Sequence, residues 1–265
     1  MTGELVHRLF SLEGKSAVVT GGSRGIGFMI ARGYLEAGVE RLHVCARKEP
    51  ELDEAAGELR KLGLGEVIAT QADLSTLEGV EAFAKSIADR GDRLHILVNN
   101  AGAAWGAPLG EFPESGWDKV LDTNLKGVFF LTQRLLPLLR AAATAEDPAR
   151  VVNIGSVDGL TIPLTPNYPY SASKAAVHML TRHVAHAVVN DHVNVNAIAP
   201  GLFPSRMTRW FFEGERAEER LDAIPMRRVG APEDAAGAAI FLASRASAYV
   251  TGVVLPVSGG IATID

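Results

Sequence analysis

Near the N-terminus a compact β-rich run, Ser16 to Thr20, leads straight into Gly21-Gly22-Ser23-Arg24-Gly25-Ile26-Gly27. An apolar-periodic segment, Phe28 to Ala37, follows and stops at Gly38. Few folds accept that succession of strand, glycine turn and helix. In this context glycines let the backbone approach a pyrophosphate closely, and the helix N-terminus offers free N–H groups and a positive dipole end. The spacing is G-x-x-x-G-x-G, and taken alone it is also compatible with an ordinary tight turn.

The alternation continues along the chain. Further strand-like runs are Leu42–Cys45, Glu66–Ala69, Leu94–Val98, Val151–Ile154, Val193–Ile198 and Val253–Val257. Helix-length segments separate most of them, among them Pro50–Leu62, Leu125–Leu139, Tyr170–Val189 and Ala235–Ala243. Seven strands joined this way predict an α/β fold, a single doubly wound parallel sheet with helices on both faces. No repeat or low-complexity linker divides the 265 residues, so one domain is expected. Its cofactor-binding part spans about 14–150 and its catalytic and substrate part about 151–265. The segment 202–228 is the most irregular, and its Trp210-Phe211-Phe212 cluster reads either as a lid over an apolar ligand or as an amphipathic helix.

Composition excludes several function classes. A formal net charge of −5 gives no reason to invoke nucleic acid or an anionic membrane. No apolar run reaches transmembrane length, and the opening residues lack a signal-peptide core. The single cysteine, Cys45, forbids an intrachain disulfide and fits a reducing, cytoplasmic compartment, where it reads as a buried strand residue. His178, His183 and His186 lack the i, i+4 pairing of a helical metal site and have no acidic companion, so no metal is expected.

Other residues carry chemistry. After the second strand come Arg47 and Lys48, with no carboxylate at the strand end, and Arg24 sits in the glycine turn. Guanidinium forks suit a phosphate monoester, which points to a 2′-phosphate and hence NADP(H); the alternative is the start of a solvated loop. In Asp73-Leu74-Ser75, Asp73 either accepts from an adenine amino group or caps the next helix. Asn99-Asn100-Ala101-Gly102 falls where open α/β sheets bind ligands, at a strand's C-terminal end. Asn124 is either a helix cap or a polar group facing the site. Ser156 follows the fifth strand, and Tyr170 and Lys174 lie four apart, on one face of a helix. Tyr168 lacks a lysine four residues on, which leaves the role to Tyr170. An ammonium beside a phenol favours the phenolate, so Tyr170 is expected to pass a proton near neutral pH.

Taken together, these stretches resemble the short-chain dehydrogenase/reductase family over essentially the whole length. Thr20 to Gly27 looks like its cofactor loop, Asn99 to Gly102 like its central motif, and Pro200-Gly201 like its post-strand motif. Asn124, Ser156, Tyr170 and Lys174 fall where its catalytic tetrad belongs. The resemblance implies a Rossmann-type fold and a cofactor site formed by Gly21, Ser23, Arg24, Gly25, Ile26, Gly27, Arg47, Lys48, Asp73, Leu74, Asn100, Ala101, Gly102, Tyr170, Lys174, Pro200, Gly201 and Ser205. Within the family the chain is most similar to 3-oxoacyl-thioester reductases of the rhamnolipid-biosynthesis type, through Ser156 to Gly159, Leu135 to Arg140 and Ala199 to Thr208.

There are departures from the family pattern. The interval from Ser156 to Tyr170 is one residue longer than usual, and Asp158 replaces a small or apolar residue. The Val189-Asn190-Asp191-His192 region lacks the arginine that carrier-using members often present.

The implied activity is NADPH-dependent reduction of a ketone, with Tyr170 as proton donor, Ser156 polarising the carbonyl and Lys174 lowering the tyrosine pKa. Asn124 would hold the helix and a water chain that resupplies the proton. The substrate is a small carbonyl compound, most similar in class to a 3-oxoacyl thioester. A sugar or alcohol dehydrogenase is the first alternative, and a non-catalytic NADP sensor the second, opposed by the complete tetrad. A homotetramer or homodimer is implied, with the apolar side of the catalytic helix and Leu135–Leu139 facing a partner subunit.

Overall fold

A computed structural model describes residues 3–163, 165–205, 208 and 221–263. Seven strands form one sheet: β1 (Ser16–Thr20), β2 (Arg41–Ala46), β3 (Glu66–Gln71), β4 (Ile96–Asn99), β5 (Ala149–Ile154), β6 (Val193–Pro200) and β7 (Val254–Val257). Their order is β3-β2-β1-β4-β5-β6-β7 and every neighbouring pair is parallel. All carboxyl ends therefore point to one edge, and the order reverses between β1 and β4. Helices diverge to opposite faces there, which opens a crevice beyond the strand ends.

Helices α1 (Glu4–Phe10), α2 (Gly25–Glu36), α3 (Glu49–Lys61), α4 (Leu77–Ala88), α5 (Glu114–Leu121), α6 (Gly127–Ala142), α7 (Tyr168–Val188) and α8 (Pro232–Ala243) accompany the sheet. Because successive strand residues point to opposite faces, β1 divides its side chains between two cores. Ala17 and Val19 pack with Ile30 and Tyr34 of α2, Leu52 and Leu59 of α3 and Leu242 of α8. Val18 packs on the other side with Phe83 of α4, Leu131, Leu135 and Leu139 of α6 and Val188 of α7. Tyr34 also donates to the Ala239 carbonyl at 3.2 Å, which ties α2 to α8. Cys45 is buried in β2, and burial pushes its thiol up to about 12. Among the described residues no helix is long and apolar enough to cross a membrane.

Several expectations need correction. Helix α2 starts at Gly25 instead of Phe28, so the glycine turn supplies its first helical residues. β4 runs through Asn99, which is buried inside the strand, not placed after it. Leu135 and Leu139 are fully buried in this chain's own core and do not face a partner. Asn124 is no helix cap: it lies in a π-turn (Asp122–Lys126) between α5 and α6, in which the Gly127 N–H bonds the Asp122 carbonyl five residues back. The Trp210-Phe211-Phe212 cluster lies outside the described residues.

Candidate active site

A groove of about 580 Å³ runs along the carboxyl edge of the sheet. All the expected site residues line it except Gly27 and Asn124, which stand directly behind it. The glycine turn forms its floor. A Cβ on Gly27 would collide with the Asn100 amide and the Gly21 carbonyl, so only glycine lets the first turn of α2 close on β4. Asn100 serves this contact: its Nδ2 donates to the carbonyls of Thr20 (2.8 Å) and Gly21 (3.1 Å). Thr20 answers with its hydroxyl, which accepts from the Asn100 and Ala101 N–H groups at 2.9 Å each. Asn99 points away from the groove and donates to Thr132 (3.0 Å) and Asn153 (2.8 Å).

At one end of the groove stand Ser156, Tyr170 and Lys174. Ser156 leaves β5 and turns the chain by accepting from the Asp158 N–H at 3.1 Å. Tyr170 lies in the first turn of α7 and Lys174 one turn further, with its Nζ 5.6 Å from the phenol ring centre. Lys174 is buried and donates to the Ile154 carbonyl at 2.7 Å. Burial pushes the lysine down to about 8. Burial likewise raises Tyr170 to about 12, with a hydrogen bond to Ser156 lowering it and the Asp158 charge raising it further. Desolvation thus opposes ionisation of the phenol in this arrangement. At physiological pH Tyr170 therefore keeps its phenolic proton.

Asn124 supports this end from behind. Only 1% exposed, it accepts from the Ala103 N–H (2.8 Å) and donates to the Ala103 carbonyl (2.9 Å) and the Ser173 hydroxyl (3.0 Å). It thus clamps the segment after β4 onto α7. Asp158 is half-buried and accepts from Asn167 at 2.8 Å, which closes the lengthened loop between Ser156 and α7. His178, two turns beyond Tyr170, fills a slot between Gly155 and Gly159. The other two helix histidines, His183 and His186, are exposed.

The opposite end carries Arg24, Arg47 and Lys48. The sequence reading saw no carboxylate here, yet Glu51 from the first turn of α3 reaches back between the cations. Its oxygens accept from Arg24 at 2.6 Å and Lys48 at 3.2 Å. Asp73 does not cap α4, because Thr76 does so by accepting from the Gly79 N–H at 3.0 Å. Asp73 instead accepts from the Ser75 N–H (3.0 Å) and hydroxyl (2.7 Å), beside Leu74 on the groove wall. Pro200 and Gly201 end β6 on the far wall, and Ser205 sits over Gly25 and pairs with Thr208 at 3.0 Å.

The family model for short chain dehydrogenases matches residues 15–216. The chain belongs to the short-chain dehydrogenase family. This short-chain dehydrogenase is 50% identical over 256 residues to the rhamnolipids biosynthesis 3-oxoacyl-[acyl-carrier-protein] reductase of Pseudomonas aeruginosa, covering 96% of the chain and 99% of the relative. A solved Pseudomonas aeruginosa RhlG/NADP active-site complex matches it with a TM-score of 0.92 at 49% identity, over 97% of this chain and 99% of that one. It is also 38% identical over 256 residues to a 2-dehydro-3-deoxy-D-gluconate 5-dehydrogenase of Pseudoalteromonas atlantica, covering 95% and 97% of the two chains.

Ser173 and Glu51 stand beside this site without having been singled out in the sequence, where Ser173 is legible only as a helix residue and Glu51 as one of many helical acids. Glu51 had one available signal, its spacing of three from Lys48 at a helix start.

Proposed function

We propose that this short-chain dehydrogenase reduces a ketone to a secondary alcohol with NADPH, and that the ketone is the 3-oxo group of an acyl thioester. One observation carries the reading: a single groove joins the Ser156–Tyr170–Lys174 group at one end to Arg24, Arg47 and Lys48 at the other. Similarity to the 3-oxoacyl reductase over nearly all of both chains supports the substrate class.

The donor set fits a phosphorylated dinucleotide. Arg24 and Arg47 offer guanidinium forks to a 2′-phosphate, the first turn of α2 presents N–H groups to the pyrophosphate, and Lys174 binds the nicotinamide ribose. Asp73 and Leu74 flank the adenine, Asn100 to Gly102 and Pro200-Gly201 form the walls, and Ser205 meets the carboxamide. When bound, NADPH supplies the hydride. Ser156 donates a hydrogen bond to the substrate carbonyl oxygen, and Tyr170 delivers its phenolic proton to that oxygen. Lys174 stabilises the phenolate left behind. Asn124 acts at one remove, by holding α7 and the Ala103 segment in register.

A second reading, oxidation of a sugar or polyol by the same residues in reverse, draws on the similarity to the gluconate-type dehydrogenase. The two separate in one assay, NADPH against NADH with a short 3-oxoacyl thioester beside a panel of ketones and sugars. Turnover of the thioester with NADPH supports the proposal. Turnover of sugars alone keeps the chemistry and discards the substrate class, and activity with NADH alone overturns the phosphate site. Phe129 and Met179, exposed on α6 and α7, fit a homo-oligomeric contact that sedimentation would test.

A further inference from the structure

We infer that Glu51 sets the cofactor selectivity of this enzyme by competing with the cofactor's 2′-phosphate for Arg24 and Lys48. This inference rests on the phosphate-site reading above.

The geometry is specific. Glu51 belongs to the first turn of α3, and its side chain is less exposed than those of either cation it meets, 24% against 51% for Arg24 and 68% for Lys48. One oxygen lies 2.6 Å from the Arg24 guanidinium and the other 3.2 Å from the Lys48 ammonium. Arg24 comes from the turn before α2, whereas Lys48 is the N-cap residue of α3 itself, so the carboxylate ties the glycine turn to the start of α3. Glu54 and Glu58, one and two turns along α3, line the same groove. Among the described residues, Arg24, Arg47 and Lys48 thus share this groove with Glu51, Glu54, Glu58 and Asp73.

The consequence follows from charge. A phosphate monoester at this end competes with Glu51 for the Arg24 Nη1 and the Lys48 ammonium, and it brings negative charge towards a carboxylate. Binding must replace the Arg24–Glu51 pair or tolerate the repulsion, and either reduces affinity for the phosphorylated cofactor. An unphosphorylated ribose has the opposite need. Its 2′-hydroxyl is a donor, and a carboxylate held by two cations accepts it without displacing either. Glu51 therefore narrows the gap between NADP and NAD, although it does not stand at the strand end where an acidic NAD determinant is expected.

The test is equilibrium binding of NADP⁺, 2′,5′-ADP and NAD⁺ by calorimetry to the full chain and to Glu51→Gln, Arg24→Ala and the double variant. Glu51→Gln should bind NADP⁺ and 2′,5′-ADP about fivefold more tightly and NAD⁺ no more tightly than the parent. Glu51→Ala should shift the ratio in the same direction. The gain should shrink in the Arg24→Ala background, because the guanidinium donor for which carboxylate and phosphate compete is gone. Unchanged affinities, or an equal shift for NADP⁺ and NAD⁺, would overturn the inference. If Arg24→Ala weakens NADP⁺ while Glu51→Gln does nothing, only the role of Glu51 falls. If Arg24→Ala leaves NADP⁺ and 2′,5′-ADP binding intact, the phosphate site itself falls.

Discussion

The Lys174 ammonium donates to the carbonyl of Ile154 at 2.7 Å while standing 5.6 Å from the centre of the Tyr170 ring. The last residue of β5 thereby fixes the cation against the phenol. Burial brings Lys174 down to about 8 and lifts Tyr170 to about 12, so between these values the lysine titrates first. As pH rises through about 8 the cation that stabilises the departing phenolate disappears. Ketone reduction, followed as kcat/KM from pH 6 to 10, should fall on the alkaline side. A profile flat to pH 10 would contradict the assignment.

Tyr170→Phe removes the proton donor and leaves the ring in place. Turnover should drop about 10²–10⁴-fold. NADP⁺ affinity, read by titration, should change little. Near-full turnover would exclude Tyr170 as the acid.

Gly155 precedes Ser156, and a Cβ there would run into the His178 ring. The imidazole is buried, so either it or the chain carrying Ser156 must shift. Gly155→Ala should cost about 1–3 kcal/mol in denaturant unfolding and should lower kcat. Adding His178→Ala should restore part of both, whereas a variant with parental stability would show that the slot is wider than described.

His43 is buried in β2, and burial, reinforced by the charges of Arg41 and Arg90, lowers its pKa to about 4. The folded protein keeps it neutral while the unfolded chain protonates near its ordinary value. Stability should therefore drop as pH falls from about 6.5 to about 4, by up to about 3 kcal/mol from this residue. His43→Leu should flatten that part of the stability–pH curve, measured by urea unfolding. An unchanged slope would assign the acid sensitivity elsewhere.

Much of this architecture is legible in the sequence because it is local. The run from Ser16 to Gly27 encodes strand, turn and helix by composition alone, and Tyr170 and Lys174 meet because four residues make one helical turn. What stayed hidden depends on contacts between distant segments. Apolar periodicity marks Leu135 and Leu139 as buried but cannot say whether by this chain or by another. Desolvation of Tyr170 comes from the packing of segments distant in sequence and has no signature in neighbouring residues. Glu51 lies in the first turn of α3, and its contact with Arg24 joins residues 27 apart, which no local pattern marks.

The π-turn at Asp122–Lys126 has a consequence for how this chain can vary. It holds one residue more than a regular helical path would, and that surplus turns Asn124 inward onto Ala103 and Ser173. Deleting any one of the other four would let α5 and α6 merge into an unbroken helix while rotating the Asn124 amide by about 100° relative to its partners. The shorter chain would fold more regularly and work less well. The stretch is thus constrained in the number of its residues as well as in the amide of Asn124.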